Sequence, residues 1–142
     1  MKYTFRLIEG CAILLVFLFV YASTSKLFGY ALFRYQLQLY PWVKHIGGLV
    51  SWGLPVLELL IAGLLLSLRR RLLGFYLSFG LLIIFTLYLS IMLAMGQHLP
   101  CSCGGVISEL TWRQHVVFNG VFISIAALGI VYEKRRLAFK FT

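Results

Sequence analysis

The chain has 142 residues, of which 61% are hydrophobic and only 12% charged, with a formal net charge of +9. Such a composition excludes a disordered chain, and the apolar runs are too long for an ordinary water-soluble domain. Most of the positive residues flank apolar runs, a placement that speaks for membrane topology and against nucleic-acid binding.

A bilayer crossing takes roughly 20 apolar residues in a helix. Four such stretches fit, at about 8–25, 51–68, 72–95 and 112–132, with short connections. The expected fold is all-α: one integral membrane four-helix bundle covering 1–142, with an additional interfacial helix after the first span. The first stretch follows a short basic start with Lys2 and Arg6. It is longer than the apolar core of a secretion signal, and hydrophobic character resumes after Lys26, so it reads as a retained span.

The segment from Ser23 to His45 is mixed. Phe28, Leu32, Tyr35 and Leu39 fall at helical spacing on one face, Arg34 and Gln38 on another, and Pro41 ends the pattern. Two readings fit: an interfacial helix with its aromatic residues at headgroup depth, or a connector packed on the bundle. In the second span Pro55 is expected near the first turn, where its missing N–H costs little. Arg69-Arg70-Arg71 ends that span, and Gly96-Gln97 ends the third. Thr111 and Gln114 fit a capping box that starts the fourth.

With four spans both termini share a side. Lys2, Arg6, Arg69, Arg70, Arg71, Lys134, Arg135, Arg136 and Lys140 lie there; Lys26, Arg34, Lys44 and Arg113 lie opposite. That asymmetry predicts cytoplasmic termini. The loop between the third and fourth spans then faces the periplasm or cell exterior, where disulfides persist.

This loop carries two of the three cysteines, in Pro100-Cys101-Ser102-Cys103-Gly104-Gly105, with His98 before it and His115 after it. Cysteines one residue apart can reach the Cα separation of about 4.4–6.8 Å that a disulfide tolerates, in a small strained ring. Strained, exposed disulfides are readily reduced and tend to be catalytic or regulatory. Gly104 and Gly105 would let the backbone bend as the pair opens and closes, and His115 is a candidate base or hydrogen-bond donor to a thiolate. A purely structural disulfide is the alternative, although so small a ring constrains little chain. His98, Cys101, Cys103 and His115 also form a sufficient ligand set for zinc or copper, but their spacing matches no common metal motif.

Cys11 lies about a bilayer thickness, 30 Å, from the loop, and reads as a small apolar core residue. Glu58 is an acid inside an apolar run and needs a partner. Lys26 is the nearest cation by depth and Arg34 the next. Either the pair is structural, or it forms a polar floor under the loop, which Asn119, one turn below His115, would extend.

Ser25-Lys26-Leu27, Phe33-Arg34-Tyr35-Gln36-Leu37, Pro55-Val56-Leu57-Glu58-Leu59, the Pro100–Gly105 segment and Trp112…His115…Asn119 together resemble the MauE family of methylamine-utilisation-type membrane proteins, related to DoxX-like four-helix proteins. The resemblance implies an inner-membrane protein linked to thiol redox, acting with a periplasmic thioredoxin-like partner to mature a disulfide-rich periplasmic protein. On that reading Cys101 and Cys103 make a thiol–disulfide oxidoreductase component. His115 is then a candidate catalytic residue, supported by Lys26, Arg34, Glu58, Trp112 and Asn119. No cofactor is assigned, and a membrane quinone stands open as electron carrier. The rival readings are a non-enzymatic docking or chaperone subunit and a metal-handling protein.

Overall fold

The structure, a computed structural model, describes residues 2–39, 43–94 and 112–140. These residues form five helices and no strand: α1 (Lys2–Phe28), α2 (Tyr30–Leu39), α3 (Gly47–Leu66), α4 (Arg71–Ala94) and α5 (Trp112–Lys140). Four of them, all but α2, are long and apolar enough to cross a bilayer. At 1.5 Å per residue the 20 residues of α3 span about 30 Å, the thickness of the hydrocarbon layer. The chain is therefore a multi-pass membrane protein in a lipid environment.

The four long helices close into a ring. α1 packs on α3, α3 on α4, α4 on α5, and α5 returns to α1. A short turn, 67–70, makes α3 and α4 antiparallel neighbours. There Arg71 turns back and its Nε donates to the Leu65 carbonyl at 3.0 Å. Gly74 permits this turn, since a Cβ there would sit 2.9 Å from the Leu65 amide nitrogen. Gly129 does the same between α4 and α5, where a Cβ would strike the Phe75 ring.

The outward faces are apolar. Phe17, Leu60, Ile84 and Val117 are each at least 60% exposed, as side chains facing lipid would be. Each helix turns one stripe inward. On α1 it is Ile8, Ala12, Leu15, Phe19, Ser23 and Lys26, all buried. On α3 it runs Gly47, Ser51, Pro55, Glu58, Ile61, Ala62 and Leu65. The middle of the bundle is a hydrophobic core built from Leu15, Phe19, Ile61, Leu65, Phe75, Leu82 and Ala126, with Cys11 packed half-buried against it. Hydroxyls within the spans are satisfied one turn back, as in Ser78 to the Gly74 carbonyl and Thr86 to the Leu82 carbonyl.

One local feature differs from the sequence expectation. α3 starts at Gly47, so Pro55 lies two turns inside the helix, not in its first turn. A proline there lacks the N–H that would bond the Ser51 carbonyl one turn back, yet the helix runs on through it. The neighbouring α1 is tied to the same turn, where the Ser23 hydroxyl donates to the Pro55 carbonyl at 3.0 Å. On α2 the apolar residues Phe28 (at the α1 end), Leu32 and Tyr35 are exposed, the outward face that an interfacial helix would present. The helix is also held to α3 by Leu37, which is buried, and by the Tyr30 hydroxyl 3.3 Å from Ser51 Oγ. α2 thus packs on the bundle and keeps an outward apolar face.

Candidate functional site

The inward stripes change character along the bundle. At the end where α1 finishes and α3 and α5 begin, they carry Ser23, Lys26, Ser51, Glu58, His115 and Asn119 in place of aliphatic residues. His115 lies about 5 Å along the axis from the start of α5, and Asn119 about 10 Å. Glu58 is deeper, about 16 Å from the start of α3, close to mid-span. Lys26 sits in the last turn of α1 and reaches down with its four-carbon stem.

Lys26 Nζ meets Glu58 Oε1 at 2.6 Å, with 3% and 7% of the two side chains exposed. The pairing satisfies the expectation for Glu58 and selects Lys26 over Arg34, which is exposed on α2. Lys26 wins because α1 and α3 are in direct antiparallel contact and both residues lie on the facing stripes. The ammonium also lies 5.9 Å from the centre of the Phe85 ring on α4, a favourable placement for a cation over an aromatic face. Phe85 continues to His115, with ring centres 6.5 Å apart, and His115 to Phe118 at 6.4 Å.

Between these residues is a cavity of about 50 Å³, lined by Lys26, Glu58, His115 and Asn119 and closed by Phe85, Phe118 and leucines of α1, α3 and α4. Glu58 Oε2, His115 Nδ1 and Asn119 Nδ2 are buried and have no hydrogen-bond partner among the described residues. A buried carboxylate oxygen, ring nitrogen and amide nitrogen left this way are costly, so their convergence on one cavity is a chemical feature rather than packing.

Of the other candidate residues, His98, Cys101, Cys103, Gly104 and Gly105 lie outside the described residues, as do Thr111 and the side chain of Trp112. The segment that carries them joins the end of α4 to the start of α5, and so leaves the bundle at the end where His115 sits. Among the described residues no group of three or more His, Cys, Asp and Glu could hold a metal ion.

Sequence reading missed the polar residues at the opposite end. Glu133 is 1% exposed and pairs with Arg136 at 2.5 Å; Arg71 is 6% exposed. The available signal was spacing, since Glu133 falls on the α5 stripe of His115, Asn119, Ala126 and Gly129. Near these residues, the start of α1 and the end of α5 form an open groove lined by Arg6, Glu9, Arg135 and Arg136.

Neither a curated protein nor a solved structure matches the chain. The family model described as "Methylamine utilisation protein MauE" matches residues 4–132, which take in most of the first and fourth spans, the whole of the second and third, the cysteine segment and every lining residue of the cavity. The chain belongs to the MauE family.

Proposed function

We propose that this protein is a redox-associated inner-membrane component of the methylamine-utilisation type. It supports thiol–disulfide exchange through Cys101 and Cys103 with a periplasmic thioredoxin-like partner, in maturation of a disulfide-containing periplasmic protein. The observation that carries the reading is the MauE match across residues 4–132, which spans the cysteine pair. It is supported by the buried Lys26–Glu58–His115–Asn119 group at the bundle end from which the cysteine segment departs. The Lys/Arg asymmetry argues for the periplasmic placement of that end.

Exchange balances without a further oxidant. The thiolate of one cysteine attacks a sulfur of the partner's disulfide, forming a mixed disulfide and releasing a partner thiolate. The second cysteine then displaces the partner, leaving a Cys101–Cys103 disulfide and a partner dithiol. Two electrons and two protons move between the pairs, and the same steps run in reverse. Attack requires a thiolate, so a nearby group must take the thiol proton and return it to the leaving sulfur. His115, at the start of α5, is the residue assigned that task.

The test is Cys103→Ser in cells. The expected result is a trapped mixed disulfide through Cys101 with a periplasmic protein, and loss of maturation. Maturation that continues with no mixed disulfide would sink exchange chemistry and leave a docking subunit whose cysteines shape the loop.

A further inference from the structure

The cavity beside the Lys26–Glu58 pair has a size and a polar lining that select its occupant. Its volume is about 50 Å³. An apolar cavity of about 150 Å³ takes a benzene ring, and roughly 10–15 Å³ suffices for a water. One or two waters therefore fit this cavity.

The unpartnered atoms set the second condition. Glu58 Oε2 is an acceptor when ionised, Asn119 Nδ2 is a donor, and His115 Nδ1 takes either role with its tautomer. The three residues are each at least nine-tenths buried and sit on two facing helices. An occupant must both donate and accept hydrogen bonds within one small space. Water does so with two donors and two acceptors, and bridging water is nearly as good as a direct hydrogen bond.

We propose that the Lys26–Glu58–His115–Asn119 cavity is an intramembrane water-binding and proton-exchange site. Water there joins the Glu58 carboxylate on α3 to the His115 imidazole and the Asn119 amide on α5. The titratable groups facing it are Lys26 from α1, Glu58 from α3 and His115 from α5, while α4 contributes only apolar residues, Leu81, Leu82 and Phe85. A proton released at His115 can pass through the water to Glu58 and return, with no net charge lost from the site. Ionisable residues inside a membrane mark such relays. The site needs neither cysteine, so it stands whether or not Cys101 and Cys103 exchange with a partner.

Water-edited solid-state NMR on the full chain in liposomes tests this. His45→Gln/His98→Gln leaves His115 as the single histidine. Its ring nitrogens are expected to receive polarisation from water early, and their protons to exchange in D₂O, while the Phe75 ring in the apolar core receives none. Filling the cavity by Asn119→Leu, or from the α3 wall by Leu54→Phe, is expected to abolish the transfer at His115. A His115 ring as dry as Phe75 overturns the proposal. So does transfer that survives both filling substitutions, because the water would then come from elsewhere. The same measurement in Cys101→Ser/Cys103→Ser is expected to be unchanged, which separates this result from that of the mixed-disulfide trap.

Discussion

Lys26 at the end of α1 and Glu58 near the middle of α3 form a buried ion pair of 2.6 Å. Two charges so placed have lost most of their hydration, and their mutual attraction offsets that loss only while both are present. The pair therefore ties α1 to α3 in one register and at the same time sets a charged wall to the cavity.

Removing one partner strands the other. Lys26→Met and Glu58→Leu are each expected to lower unfolding stability by about 3–5 kcal/mol. The double variant should recover most of that loss, since no buried charge remains. Equilibrium unfolding of the three variants in mixed micelles checks this. Additive effects in the double variant would mean that the two residues do not act as a pair.

The Ser23 hydroxyl bond to the Pro55 carbonyl is a weaker interhelical link. Ser23→Ala should cost about 0.6 kcal/mol, the average for such bonds in a membrane. The same unfolding assay distinguishes it from the ion-pair variants. A loss as large as theirs would show that Ser23 does more than make this one interhelical bond.

Gly129 and Gly74 make close approaches of different kinds. At Gly129 a Cβ meets the Phe75 side chain, and at Gly74 it meets the backbone of Leu65. Both alanine variants should be destabilised by about 1–3 kcal/mol through overpacking. Phe75→Leu should relieve part of the cost at Gly129→Ala and none at Gly74→Ala, because a ring can be trimmed and a main chain cannot. Thermal stability of the two singles and two doubles decides it.

Topology gives a further outcome. In a background without native cysteines, Ser67→Cys in the α3–α4 turn should be labelled by an impermeant thiol reagent only after the cytoplasmic face is opened. Ile46→Cys at the other end of α3 should be labelled from outside in intact spheroplasts. The reverse pattern would place the cysteine segment in a reducing compartment and remove the basis for disulfide chemistry.

Much of the architecture was legible because a membrane imposes few solutions. Runs of apolar residues near 20 long must be helices when every backbone group has to be satisfied internally. The four spans follow from that, and the Arg69–Arg71 cluster marks the α3–α4 turn within a residue or two. The Lys26–Glu58 pairing was also accessible, since depth along two antiparallel helices brings few cations near a given acid. Less accessible was the start of α3. Pro55 suggested a boundary by its missing N–H, whereas α3 begins two turns earlier, at Gly47. The face of α2 stayed open between two readings for a similar reason: spacing finds an apolar stripe, but a stripe facing lipid and one facing the core have the same pattern in a membrane.

By itself the sequence determined the number of spans, their order and the segregation of charge, because these depend on local hydropathy and on residue type. It also contained the cysteine pair and the resemblance that the family match made firm. Tertiary structure alone decided that α5 closes the ring against α1, which brings His115 and Asn119 to the Lys26–Glu58 pair. The reason is that a cavity is a property of helices in contact. That Glu58 Oε2, His115 Nδ1 and Asn119 Nδ2 are buried with no partner among the described residues is visible only once the stripes of α3 and α5, from distant parts of the chain, face one another.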